Sequence, residues 1–432
     1  MTDAPPRPDR LGRDFARLWL AQGVSNLGDG VYVTALPLLA ASLTRDPLPV
    51  SAVVFAEWLP WPLFGLLAGA LLDRWELRRV MWTVDAARLV VVGGFAAAVL
   101  FGWASIPLLM ATGFLLGTGQ TLVDTGSQAL IPALVSRDPG RLERANGRLA
   151  GTRMVAGELA GPPAGGFLFS VSGWIPFAVD AISFGVSSAL VAAIPGRRGA
   201  RSDGGGALGA GRCSGLRVEI AEGLRWLFAH RVLRAMAVLV AGVNLVTAAQ
   251  GAIRVLFAQE RLGLGSVGFG LLLTGSAVGG AVGSVVAPRL SRRLGPVRVM
   301  TGQFVLQGFV TFGVGLTRNP GVAAGLLVFS GLFVITFNVI LESLRQQLVP
   351  DRLLGRVISS FRLFSYGAVP LGALVGGLLA RGFGLPAPFL VAGLAIPVMA
   401  LLTLPFVNTR TVERVLAEME EDAVGPATDT TE

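Results

Sequence analysis

The sequence contains no lysine, one cysteine and one histidine in 432 residues. Without Lys there is no Gly-x-x-x-x-Gly-Lys-Ser/Thr loop to cradle a nucleotide phosphate, so ATP-driven transport by this chain alone is excluded. Cys213 has no intramolecular partner, and His230 is the only imidazole. A disulfide framework and a Cys/His metal site are therefore excluded, and no cofactor or metal is expected. Charged residues are scarce too, at 15%, against 53% apolar residues and a mean hydropathy of +0.65. That much hydrocarbon exceeds what a soluble core hides, so the chain is expected in a lipid bilayer. The formal charge of +9 does not imply nucleic acid, because the arginines sit in short loops between apolar runs rather than on one basic face. No short cleavable apolar segment precedes Phe15, so the first long apolar run is expected to act as an uncleaved insertion signal.

A membrane helix needs about 20 mainly apolar residues. That length places spans near 15–43, 50–72, 80–102, 107–130, 146–171 and 174–195, and six more near 233–258, 267–288, 297–317, 321–344, 357–381 and 386–407. Arginines crowd the even-to-odd connections, at Arg74 to Arg79, Arg137 to Arg148, Arg197 to Arg217, Arg289 to Arg298 and Arg345 to Arg356. Such loops face the cytoplasm, so both termini are expected there, in a multi-pass protein of the inner or plasma membrane. The predicted domains are a six-helix bundle over 1–195, a cytoplasmic linker with an amphipathic helix over 196–231, a second bundle over 232–408 and an acidic cytoplasmic tail over 409–432. The linker is Gly/Arg-rich, and Leu216 to Arg234 gathers Leu216, Ile220, Leu224, Leu227 and Phe228 on one helical face, as an interfacial helix would.

The two halves repeat. Asp124 to Pro132 reads Asp-Thr-Gly-Ser-Gln-Ala-Leu-Ile-Pro and Glu342 to Pro350 reads Glu-Ser-Leu-Arg-Gln-Gln-Leu-Val-Pro, each ending an apolar run and followed by arginines. Self-similar halves in a polytopic membrane protein point to a transporter with its site at the repeat interface.

Between the second and third spans the chain reads Gly69-Ala-Leu-Leu-Asp73-Arg74-Trp-Glu-Leu-Arg78-Arg79, echoed by Gly283 to Arg293 with the arginines kept and the Asp lost. This loop resembles the signature of the major facilitator superfamily. The fifth span carries Gly157-Glu-Leu-Ala-Gly161-Pro162-Pro163-Ala-Gly165-Gly166, similar to the antiporter motif of facilitator-type exporters. Small residues four apart allow close helix approach, and the prolines bend the span. Local runs such as Phe177-Ala-Val-Asp180-Ala-Ile-Ser183-Phe184 and Leu353-Leu-Gly355-Arg356 resemble the macrolide-efflux and siderophore-exporter branch over nearly the whole chain. The fourth span lacks the Arg that drug/proton antiporters carry there. The resemblance implies an all-α membrane protein with twelve transmembrane helices in two pseudo-symmetric six-helix bundles. It also implies that Asp73 faces the span starting near Gly355.

Ionisable residues within spans are costly and so are functional candidates: Asp29, Glu57, Asp85, Arg88, Asp124, Arg153, Glu158, Asp180, Arg254 and Glu342. Asp85 and Arg88, three apart, can meet on one helix face. Asp29, flanked by Asn26, Gly28 and Gly30, and Glu158, one turn from Arg153, lie near mid-span, and either is a candidate proton carrier. The alternative for Glu158 is a permanent salt bridge to Arg153. Asn26, Asp29, Arg153, Glu158 and Asn244 are the expected substrate-cavity residues. Asp73, Arg74, Arg78, Arg79, Asp124, Gln128, Arg289, Arg292, Glu342 and Gln346 are the expected inner gate.

These features point to a secondary active exporter of small amphipathic molecules, antibiotic, macrolide or siderophore-like, working by alternating access with proton antiport. Its expected partners are the small-molecule substrate, protons and the lipid bilayer, with the chain acting as a monomer and binding no nucleic acid. An importer or facilitator of the same fold is the alternative within transport. A membrane enzyme lacks a nucleophile-base or metal constellation here, and a receptor lacks a sizeable soluble domain.

Overall fold

The computed structural model describes residues 11–65, 75–135, 138–195, 225, 227–229, 231–348 and 351–406. Cys213, His230, Asp73, Arg74, the linker 196–215 and the acidic tail lie outside these residues. Every described secondary-structure element is helical. In chain order they are α1 Arg13–Leu43, α2 Pro47–Trp58, α3 Leu77–Leu100, α4 Ile106–Val135, α5 Pro139–Thr152, α6 Gly161–Val171 and α7 Ile175–Ala192. The second half contributes α8 Arg231–Ala252, α9 Ser266–Leu294, α10 Pro296–Leu316, α11 Pro320–Leu348, α12 Asp351–Phe383 and α13 Ala387–Thr403.

Among the described residues nine helices are long and apolar enough to cross a membrane. Helices suit that medium because their backbone groups are satisfied internally. Three further segments complete the pattern: α1, which carries Gln22, Asn26 and Asp29 along its length; the run 139–171; and α13, with 17 residues. The turns use glycine where the chain must reverse. Gly295 takes φ 84°, a conformation open to a residue without Cβ, and Pro296 then starts α10 with its φ already fixed.

The fifth span, expected over 146–171 with a bend at its prolines, is irregular before them. Between α5 and α6 the backbone widens into a π-helical stretch, Arg153–Ala160, in which the Gly161 N–H reaches back to the Ala156 carbonyl. Pro162 and Pro163 supply no N–H, so the carbonyls one turn earlier lose their usual donors, and the wider turn absorbs the mismatch. The seventh span is also interrupted, here without a proline. It breaks at Ile253 and ends in a π-helical turn, Phe257–Arg261, closed by Leu262 N–H to the Phe257 carbonyl at 3.2 Å.

The chain divides into two compact units. One comprises residues 1–44, 56–205 and 265–274, the other residues 45–55, 206–264 and 275–432. In the first unit Phe15, Leu18, Met81, Ile131 and Val191 form a buried cluster at one end of the helices. There Gly161 faces Gly30 on α1, and a Cβ on Gly161 would fall 2.6 Å from the Gly30 Cα. Gly165 meets Val31 of α1 in the same way, and Gly166 meets Ser266. The glycines of the fifth-span motif thus let α6 lie against α1 at backbone contact, as small residues do in membranes. In the second unit Met236, Phe304, Phe337, Phe361 and Ile396 form the core. Gly372 and Gly376 of α12 face the backbone of Leu245 and Ala249 on α8, so both units hold their first helix against a glycine-bearing partner.

Candidate functional site

The first unit encloses a polar cavity of about 240 Å³ among α1, α3, α4, α5 and α7. Its centre is Arg88. This guanidinium lies 3.1 Å from the Asp29 carboxylate on α1, donates to Gln120 Oε1 on α4 at 2.6 Å and sits 3.7 Å from Asp85 one turn away on α3. The chain extends on both sides. Gln120 donates to Asp124 at 2.9 Å, and Ser187 on α7 donates to Asp85 at 2.6 Å. The Phe184 ring covers the back of the guanidinium at 3.9 Å. Arg88 and Asp85 are 5% and 2% exposed, whereas Asp29 keeps 28% of its side chain open. A buried charge is tolerated when paired and hydrogen-bonded; Arg88 Nη2 meets that condition through Asp29 and Gln120, whereas Arg88 Nε and Nη1 and Asp85 Oδ1 are buried without a hydrogen-bond partner. Asp29 is the member that opens to the cavity. The lining as a whole carries three carboxylates, Asp29, Asp85 and Asp124, against two guanidiniums, Arg88 and Arg153. One negative charge is left to be met by a proton or a cation.

The second unit holds a different cavity, about 310 Å³, among α8, α10, α11 and α12. Aromatic rings dominate its wall: Phe304 and Phe337 lie 4.9 Å apart, and Phe333 and Phe361 stand nearby. Its polar groups include four amides, Asn244, Gln303, Gln307 and Asn338. Asn244 Nδ2 donates to the Ser365 carbonyl at 3.0 Å, and Gln307 Nε2 donates to Ser330 and Thr311 at 2.9 and 3.1 Å. Gln303 is buried with neither side-chain atom hydrogen-bonded, and Gln307 Oε1 is also unpartnered.

A family model described as transmembrane secretion effector matches residues 10–427. The chain belongs to the transmembrane secretion effector family. Multidrug efflux pump Tap of Mycobacterium tuberculosis is 27% identical over 381 residues, 86% of this chain and 88% of that protein. MFS-type transporter y4rN of Sinorhizobium fredii is 27% identical over 394 residues, covering 90% and 93%. Among solved structures, a bacterial homologue of the iron transporter ferroportin in an inward-facing state matches with TM-score 0.72 at 19% identity, over 92% of this chain and 99% of that one. Nucleoside transporter NupG matches with TM-score 0.70 at 12% identity, over 91% and 99%. This member of the family is therefore a major facilitator transporter, a multi-pass all-α membrane protein whose relatives are transporters and efflux pumps rather than enzymes.

Of the cavity residues expected from the sequence, Asn26, Asp29 and Arg153 line the first cavity and Asn244 lines the second. Glu158 is exposed on the π-helical stretch and does not line the first cavity. Among the described residues no ion pair joins it to Arg153. The expected gate residues are distributed. Asp124 and Gln128 line the first cavity and Glu342 lines the second. Arg78 donates to the Ala192 and Ile194 carbonyls at the end of α7 and pairs with Glu76 at 3.4 Å, while Arg79 pairs with Glu76 at 2.6 Å. Arg289 donates to its own helix at Val285, and Arg292 is exposed. The Gln346 side chain falls outside the described residues.

Gln303 and Gln307 were not singled out by the sequence, since a search for ionisable residues passes over neutral amides. The available signal was two glutamines one helical turn apart within an apolar run.

Proposed function

We propose that this transporter exports small amphipathic molecules across the cell membrane in exchange for protons, with both termini in the cytoplasm. The relationship to efflux pump Tap supports the export direction, and the arginine loops support the orientation. The observation that carries the coupling is the Asp29–Arg88 pair, a carboxylate at the open side of a net-negative cavity. Between the two candidate carriers, the geometry favours Asp29 over Glu158.

Deprotonated, Asp29 holds α1 to α3 and α4 through Arg88 and Gln120. A proton arriving from outside neutralises Asp29, and Arg88 then turns wholly to Asp85 and Gln120. With that tie released, α1 is free to move with the glycine-packed α6, and the unit can change its facing. Proton release inside restores the pair. Alternation of the two facings about a fixed site is the general mechanism of such folds. In this reading Asp124, eleven residues before the end of α4, and Glu342, six before the end of α11, favour closure of the cytoplasmic side. The test is transport in proteoliposomes under an imposed pH gradient. Asp29→Asn should abolish uphill efflux while retaining downhill exchange, because the amide mimics the protonated carboxyl.

A further inference from the structure

The two cavities occupy the same positions of the duplicated chain. Asn26 and Asn244, Asp29 and Thr247, Asp85 and Gln303, and Gln120 and Asn338 are each separated by the same number of residues as the repeated acids Asp124 and Glu342. All of them line their respective cavities. Each pair also lies on corresponding helices, α1 with α8, α3 with α10 and α4 with α11. Duplication therefore produced two copies of one site, and the copies have diverged in charge. Where the first keeps Asp29 and Asp85, the second has Thr247 and Gln303. The position of Arg88 becomes Leu306, which is 52% exposed and outside the cavity lining. Gln22 and Ser25 become Val240 and Val243, both in the lining.

We propose that the second cavity is the binding site for the exported molecule, and that it selects uncharged aromatic compounds bearing both hydrogen-bond donors and acceptors, such as amides. The proposal rests on the export reading above and names its substrate class. Four phenylalanine rings supply apolar and stacking surface. Gln303 Oε1 and Nε2 and Gln307 Oε1 are buried without partners, so a ligand amide or hydroxyl would complete them. Leaving such atoms unpaired is costly, and a ligand that satisfies them gains accordingly. The volume of about 310 Å³ falls at the lower end of the range for small-molecule sites. The charged members, Glu342 and Arg362, are of opposite sign, so the site offers no net attraction to a permanent cation. In this division the first copy handles the proton and the second the cargo.

The test is equilibrium binding of radiolabelled chloramphenicol, an uncharged aromatic amide, to the full-length protein purified in detergent. Ethidium, a permanent aromatic cation, serves as competitor. The wild type should bind chloramphenicol without displacement by ethidium. Gln303→Leu and Gln307→Leu should each weaken binding about tenfold, as expected for lost hydrogen bonds in a buried site. Gln303→Glu keeps the side-chain size and restores the acid of the first copy. It should weaken chloramphenicol and admit ethidium, which covers the case in which the leucine variants fail to fold. Absence of chloramphenicol binding by the wild type, displacement by ethidium, or unchanged binding in the Gln303 and Gln307 variants would overturn the assignment. Because the readout is binding without a gradient, failure of export or of proton coupling in vesicles is a separate result.

Discussion

The Asp29 carboxylate on α1 and the Arg88 guanidinium on α3 lie 3.1 Å apart, and the same guanidinium reaches α4 through Gln120. One side chain thus ties three helices of the first unit together. Replacing it with Gln leaves Asp85 buried beside Ser187 alone. We expect Arg88→Gln to lower stability by about 3–5 kcal/mol, the scale for removing one member of a buried ion pair. Thermal unfolding of the purified protein reads this directly, and the double variant with Asp85→Asn should recover part of the loss.

The contact between Gly161 and Gly30 sets a second expectation. A Cβ on Gly161 would meet the Gly30 backbone at 2.6 and 2.8 Å, where nothing flexible can give way. Gly161→Val should cost on the order of 1–3 kcal/mol or more by overpacking. Gly94 on α3 has nothing within 4 Å of its would-be Cβ, so Gly94→Ala should be neutral or stabilising by about 0.5–1 kcal/mol. Equal losses in the two variants would show that the fifth-span glycines do not pack the bundle as described.

Orientation can be read from the single cysteine. If the arginine-rich linker is cytoplasmic, a membrane-impermeant thiol reagent applied to intact cells should leave Cys213 unmodified, and the same reagent should label it in inside-out vesicles. Efficient labelling from outside would invert the topology.

The repeated acids predict a conformational bias. Asp124→Asn and Glu342→Gln should each favour the inward-open state by about 1–3 kcal/mol, a usual scale for coupling between sites. Single cysteines placed at the cytoplasmic ends of α4 and α11 should become more accessible in these variants. Unchanged accessibility would remove both acids from the gate.

Much of this arrangement was legible in the chain itself. Apolar run length located the nine described helices that are long and apolar enough to cross, because a bilayer imposes a length that few soluble helices share. Asp29 stood out because a carboxylate in mid-span demands an explanation, and Asp124 with Glu342 stood out because the repeat aligned them. Other features depend on tertiary contacts that no spacing rule contains. The reach of Arg88 across to Asp29 joins residues on different helices, whereas the i, i+3 rule reveals only its pairing with Asp85. The prolines announced a bend in the fifth span, but the irregularity takes the form of a π-helical stretch before them, set by how the freed carbonyls find donors. Gln303 and Gln307 became visible only when neighbouring rings closed a cavity around them.

The most direct measurement is uphill efflux by Asp29→Asn and Glu158→Gln, side by side in proteoliposomes with an imposed pH gradient and an uncoupler control. The account predicts that Asp29→Asn loses uphill transport but keeps downhill exchange, while Glu158→Gln retains uncoupler-sensitive uphill transport. Full uphill activity in Asp29→Asn, with loss of it in Glu158→Gln, would contradict the assignment of the proton to the Asp29–Arg88 cavity.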